Sequence, residues 1–216
     1  MRGSSRVTRA AGAESPPVVE ASERGAVRRA GEVMGSGGVV VFPTETVYGI
    51  GVRSGDARAR RRLALLKGRE ARKPFQILAA DLRSARALCP EMPAVAVRLA
   101  RGCWPGPLTL VVRRKAGGWV GIRVPDHGVA RRLIRAGGGT IVATSANLAG
   151  GKPAVTAAEA MAALGARADL VLDGGRARCG VASSVVKVGR KGWKILREGA
   201  LRAAELERMA GSPPVP

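Results

Sequence analysis

The chain has 216 residues, 46% of them hydrophobic but only 3% aromatic, and 37 Lys and Arg against 16 Asp and Glu give a formal charge of +21. That length and apolar content suffice for one sizeable core, which must be built mainly from Val, Leu, Ile and Ala. No run of about 18 apolar residues exists to form a spanning helix, and the scattered Cys89, Cys103 and Cys179 lack the spacing of a disulfide framework or structural zinc site.

A reducing, cytoplasmic compartment is therefore expected. So strong a cation suits phosphate-bearing partners, although a coding bias toward Arg would produce the same balance. The basic opening, taken to residue 15, reads as a disordered tail, with an organellar transit peptide as the alternative. The segment Val18–Met34 is predicted as a helix ending in Gly35–Gly38. Val39–Phe42 is a buried strand stopped by Pro43, and Asp56 caps a helix running to Leu66. A strand at Phe75–Ala79 precedes helices near Asp81–Leu88 and Pro93–Arg101. Leu108–Val112 and Val120–Val124 are strands joined by the turn 116–118, followed by a helix at Val129–Arg135 and a strand at Ile141–Ala143. The capping-box spacing of Thr156 and Glu159 starts a helix to about Leu164. Strands are predicted at Leu170–Leu172, Ser184–Val188 and Trp193–Arg197, the last two a hairpin across Gly189–Gly192. A short helix begins near Leu201, and residues 206–216 read as a second tail. Interleaved elements without a repeat or composition break give one α/β domain with a mixed sheet over residues 16–205.

Polar residues gather where strands end, the usual ligand-binding edge of an α/β sheet. Pro43–Gly49 holds two threonines, Glu45 and the only tyrosine; it is either an ordinary strand-terminating loop or a site. Lys67 and Arg69, spaced by Gly68 at a helix C-terminus, either complement the helix dipole or reach one polyphosphate. Trp104–Thr109 is a rigid corner that can fix Thr109. Alternation puts Ser145 and Asn147 on one side of the segment Thr144–Asn147, where they can cap a turn or bind a ligand. His127, the sole histidine, suits a helix cap better than catalysis. Neither a G-x-x-x-x-G-K-[ST] loop nor a G-x-G-x-x-G after a strand is present, and one His does not suit a Ser-His-Asp triad.

Taken in order, FPTETVYG (Phe42–Gly49), KGR (Lys67–Arg69), CWPGPLTLVV (Cys103–Val112), IRVP (Ile122–Pro125), TSAN (Thr144–Asn147), ASSVVKV (Ala182–Val188) and LREGAL (Leu196–Leu201) resemble the YrdC/TsaC family of threonylcarbamoyl-adenylate synthases. The resemblance implies a twisted mixed sheet with a basic concave face, in the short, single-domain form. It implies catalytic roles for Lys67, Arg69, Ser145 and Asn147, ATP binding by these four with Thr109 and Arg197, and threonine binding by Thr44, Arg123 and Ser183. Lys67 and Arg69 are expected to project into solvent-filled space. The implied substrates are ATP, L-threonine and bicarbonate, with Mg²⁺ arriving on ATP and no protein-bound cofactor or metal. The product would serve threonylcarbamoyladenosine modification of tRNA next to the anticodon. Implied partners are therefore tRNA and the downstream threonylcarbamoyl transferase, and no membrane. Many relatives carry a His in a segment like N-P-L-x-x-H, where this chain has Leu78, so a threonine contact from that His has no counterpart here. The rival readings are a non-catalytic duplex-RNA or tRNA-binding protein, and a carbamoyl-adenylate enzyme of the hydrogenase-maturation type, whose acylphosphatase and zinc-finger segments are missing from this sequence.

Overall fold

The computed structural model describes residues 15–68, 75–114, 117–148, 150–164 and 167–215. In chain order they form β1 (Val18–Glu20), α1 (Ala26–Gly35), β2 (Val40–Phe42), β3 (Gly49–Arg53), α2 (Ala57–Leu66), β4 (Gln76–Ala79), α3 (Leu82–Leu88), α4 (Ala94–Cys103), β5 (Leu108–Arg113) and β6 (Trp119–Arg123). These are followed by α5 (Gly128–Ala136), β7 (Thr140–Ser145), α6 (Ala157–Leu164), β8 (Leu170–Asp173), β9 (Ser184–Gly189), β10 (Gly192–Arg197) and α7 (Ala203–Ala210). The strands make one mixed sheet in the order β1-β8-β2-β3-β7-β4-β6-β5-β9-β10. No helix among the described residues is long and apolar enough to cross a membrane.

Alternation along the strands decides which face each helix covers. One face carries Val39, Val41, Ile50 and Val142 against α2 and α6, then Leu108, Leu110, Ile122 and Val186 against α3, α4 and α7. That face is covered by helices over most of its width, and Val18 and Glu20 of the edge strand β1 stay exposed on it. The opposite face carries Val40, Phe42, Leu78 and Ala143 under α1 and α5. Beyond those helices it opens: Val111, Trp119, Gly121, Val185 and Lys187 are only partly buried, and Arg113 and Lys194 are exposed. This uncovered half-face becomes the floor of the site.

The predicted elements from Val39 onward recur with shifts of a residue or two at their ends, and three stretches of the chain differ in kind. Val18–Met34 is not one helix: Val18–Glu20 pairs in parallel with Val171–Asp173, and α1 starts only after Gly25 turns the chain through a left-handed φ of 85°. A β-branched Val-Val pair suits an edge strand better than a first helical turn. The strand β3 falls where no strand is predicted, because Gly49 and Gly51 lower its β-propensity. A Cβ at Gly49 would lie 2.9 Å from the Phe42 ring, and one at Gly51 would lie 2.8 Å from the Val142 carbonyl oxygen. The glycines are there to let the ring cross the strand. The stretch from 206 onward, expected as a tail, is packed: Leu206 and Ala210 are fully buried in the core, and the Val215 N–H donates to the Trp193 carbonyl at 2.7 Å.

Asp56 caps α2 as expected, and Asp81 is a further cap, on α3. Asp56 accepts from the Ala59 N–H and Asp81 from the Ser84 N–H, both at 2.8 Å. The Ser84 backbone N–H holds the Asp81 carboxyl below its ordinary value. A carboxylate with a depressed folded pKa stabilises above its unfolded pKa, near 3.9, and that contribution fades as the pH falls through the folded value. Asp81→Ala is expected to lower the unfolding free energy by about 1 kcal/mol at neutral pH. Denaturant melts of the two proteins across an acid series should show the gap narrowing below about pH 4.

Candidate active site

A cavity of about 330 Å³ lies on the open half-face. Its floor is made by Thr109 of β5, Arg123 at the end of β6, Gln76 of β4 and Ser183 just before β9. The end of β10 adds Arg197, the β2–β3 connection adds Thr44 and Thr46, and β7 adds Ser145. Six of the nine residues implied by the resemblance therefore line one space: Thr44, Thr109, Arg123, Ser145, Ser183 and Arg197.

Two hydrogen-bond chains organise this space, each headed by a guanidinium. In the first, Thr44 donates its hydroxyl proton to the Val47 carbonyl at 2.5 Å. Thr44 must then accept in its 2.9 Å contact with the Thr46 hydroxyl, and Thr46 in turn accepts from Arg123 Nη2 at 2.9 Å. In the second, Thr109 donates to Gln76 Oε1 at 3.1 Å. Its 2.9 Å bond to Ser183 is therefore donated by Ser183, whose Oγ accepts from Arg197 Nη2 at 3.4 Å. The hydroxyl protons of both chains are spent within the protein, so within these chains donation to an anion falls to the arginines at their heads.

Arg123 is only 3% exposed and Glu45 only 2%. Their Nη2–Oε1 distance is 2.7 Å, an ion pair although the approach lies off the direction of a hydrogen bond, so both Glu45 oxygens lack a hydrogen-bond partner. Arg123 Nε also donates to the Gly106 carbonyl at 3.1 Å. Arg197 clamps the Ser183 carbonyl through Nε and Nη2, at 3.1 and 2.8 Å. Burial, and then the charge of Arg123, push the Arg197 pKa down. A cavity in which burial and a like charge weaken a guanidinium favours an anionic occupant.

The remaining implied residues stand differently. Lys67 is 5% exposed and does not project into solvent-filled space; its Nζ donates to the carbonyls of Ser145, at 2.8 Å, and Asn147. A long apolar stem lets the ammonium reach backbone oxygens that the end of β7 leaves unpaired. Asn147 does not share the cavity with Ser145: its amide turns back to the carbonyls of Leu148 and Gly151, each at 2.7 Å, because the chain leaves extended geometry after Ser145. Arg69 lies outside the described residues. Leu78 is a buried core residue that also forms cavity wall. His127 occupies the N-cap position of α5 without a side-chain capping bond. Burial lowers its pKa, and its Nδ1 has no hydrogen-bond partner.

Sequence reasoning missed Gln76, Thr46 and the ion pairing of Glu45. Gln76 had a legible signal, a polar residue alternating with Leu78 on a strand whose other members are apolar. The pairing of Glu45 with Arg123 had none, since β3, β7 and β4 separate the two in the sheet. Beside the cavity, Lys187 Nζ lies 4.2 Å and Arg113 Cζ 5.4 Å from the Trp119 ring centroid. Trp119 also walls a second, open groove with Arg113, Arg114, Arg190 and Lys191.

A family model covering Sua5, YciO and YrdC proteins, described as "Telomere recombination", matches residues 32–199. The chain belongs to the Sua5/YciO/YrdC family. A threonylcarbamoyl-AMP synthase of Pyrococcus abyssi is 37% identical over 204 residues, which are 90% of this chain and 60% of that protein. A threonylcarbamoyl-AMP synthase of Halorhodospira halophila is 39% identical over 158 residues, 68% of this chain and 82% of that protein. The crystal structure of P. abyssi Sua5 complexed with L-threonine superposes with a TM-score of 0.84 at 32% identity, covering 92% of this chain and 62% of that one. The chain thus spans about three fifths of the Pyrococcus relative.

Within this Sua5/YciO/YrdC fold, Lys67 holds the turn after β7 as well as carrying charge. Lys67→Ala is expected to remove about 1–3 kcal/mol of stability, because two backbone carbonyls lose a charged donor. Thermal and urea unfolding check this; an unchanged melting temperature would mean that the turn stands without the ammonium.

Proposed function

We propose that this protein makes threonylcarbamoyl-adenylate from L-threonine, bicarbonate and ATP, releasing pyrophosphate. The carrying observation is a pair of arginines lining one cavity, Arg123 buried and Arg197 exposed, each at the head of a hydroxyl chain. The naming of its family relatives as threonylcarbamoyl-AMP synthases supports the same reading. In the reaction, the threonine amine adds CO₂ derived from bicarbonate, losing a proton and forming a carbamate. A carbamate oxygen then attacks the α-phosphorus of ATP as the bond to pyrophosphate breaks. The nucleophile comes from the substrate, so the protein's contribution is to hold two anionic partners in line and neutralise developing charge. Arg123 and Arg197 suit that work, with Ser145 and Arg69 at the nucleotide end, where Lys67 and Asn147 brace the turn after β7, and Thr44 and Ser183 toward the amino acid. The bond from Ser183 to Thr109 favours assigning Thr109 to the amino-acid end as well. Mg²⁺ would enter as part of the nucleotide substrate. The adenylate would pass to a transferase that modifies tRNA next to the anticodon.

Pyrophosphate release is expected to require threonine and bicarbonate together, with serine a poor substitute. Arg197→Ala and Arg69→Ala should each slow it by about a hundredfold or more, the scale of losing one donor to developing charge. Release that ignores threonine would sink the synthase reading.

The basic groove beside Trp119 favours a second reading, a site for RNA without chemistry, since cations around an aromatic ring suit a phosphate backbone and an unpaired base. Under the synthase reading, duplex RNA should bind only weakly at about 150 mM salt, where screening acts within about 8 Å. Filter binding across a salt series checks this, and tight, structure-selective retention at that salt would favour the binding module.

A further inference from the structure

The hydrogen-bond chain through Ser183 and Thr109 ends at Gln76, and its direction has chemical content. Thr109 gives its proton to Gln76 Oε1 and takes one from Ser183, which leaves one lone pair on Thr109 Oγ1. With Oε1 occupied, the two N–H groups of the Gln76 amide are its free recognition edge, and both residues line the cavity. An amide donor and a hydroxyl acceptor therefore stand side by side, one 3.1 Å hydrogen bond apart. A phosphate or carboxylate oxygen cannot donate to Thr109, and an ammonium cannot accept from Gln76. A neutral hydroxyl does both.

The flanks narrow the choice of hydroxyl. Two residues along β4 from Gln76 is Leu78, and two along β5 from Thr109 is Val111, so an aliphatic side chain follows each polar one on the same cavity wall. Gly121 keeps the corner open, since a Cβ there would lie 3.3 Å from Thr109 Cγ2. A polar corner beside aliphatic wall matches a carbon bearing a hydroxyl and a methyl, whereas a ribose hydroxyl brings no methyl.

We infer that Gln76 and Thr109 are the specificity-determining pair of the cavity, reading the β-hydroxyl of the amino acid while Leu78 and Val111 receive its methyl group. The inference rests on the synthase reading for the identity of the amino acid. The hydroxyl gives its proton to Thr109 Oγ1 and accepts from Gln76 Nε2.

The test compares L-threonine with L-2-aminobutyrate, which differs only by lacking the hydroxyl, in the wild type, Gln76→Met and Thr109→Val. Each substitution keeps side-chain size while removing one of the two bonds. The ratio of kcat/KM for the two amino acids is expected to fall about ten- to a hundredfold in either variant, the scale of losing one such hydrogen bond. ATP and its 2′- and 3′-deoxy analogues are run alongside, and their ratios should stay as in the wild type. Melting temperatures establish that the variants fold, and the two substitutions lie on different strands, so one can speak if the other fails. An unchanged threonine preference in a folded variant, or a shift in the deoxy-ATP ratios instead, overturns the inference. Calorimetric binding of both amino acids gives the comparison without turnover. A wild type that prefers threonine in binding yet releases no pyrophosphate would sink the synthase reading and leave the pair standing, whereas equal binding of the two amino acids would sink the pair alone.

Discussion

A buried guanidinium must be matched by nearby oxygens, because removing its charge from water costs several kcal/mol. Arg123 meets that demand from three directions: the carboxylate of Glu45, the hydroxyl of Thr46 and the carbonyl of Gly106. Glu45 and Thr46 belong to the connection after β2, while Gly106 lies in the corner before β5. Those segments lie on opposite sides of β6 in the sheet, with β3, β7 and β4 intervening on one side. The arginine thus ties the loop over the covered half of the sheet to the floor of the open half. The Pro-Thr-Glu-Thr turn and the Trp-Pro-Gly-Pro corner meet at one side chain.

The open half-face is the second condition, and it follows from where the helices go. Because α3, α4 and α7 pack on the same face as α2 and α6, only α1 and α5 remain for the other. Every second residue of β5, β6 and β9 is then free to be polar without loss to the core. Thr109, Arg123 and Lys187 occupy those positions, while Leu110, Ile122 and Val186 beside them are fully buried.

Much of this was legible in the sequence where local chemistry and fold agree. Asp56 announces its helix by capping, and Gly189–Gly192 announces a hairpin. The strand β3 was hidden because its glycines answer to a ring on another strand rather than to local propensity. Gathering Thr44, Thr109, Arg123, Ser145, Ser183 and Arg197 into one space required the ordered resemblance, since each of their motifs alone suits an ordinary turn. Which way Lys67 and Asn147 point depends on the conformation of the chain after Ser145, and neither spacing nor alternation carries that information. The ordering of the hydroxyls depends on which carbonyl ends each chain, a fact of three dimensions only.

The closing turn of the molecule bears on how it behaves among copies of itself. A sheet whose outer strands present unpaired amides is a template for joining another sheet. At one margin β1 is only three residues long. At the other, β10 is longer, and there the Val215 N–H bonds to the Trp193 carbonyl while the Trp193 indole donates to Ser212. Pro213 and Pro214, between those contacts, have no amide hydrogen to offer a neighbour. The last residues described therefore act as a hem over the Trp193 end of the exposed margin, occupying one of its carbonyls within the same molecule and leaving less of the strand open to strand-to-strand aggregation.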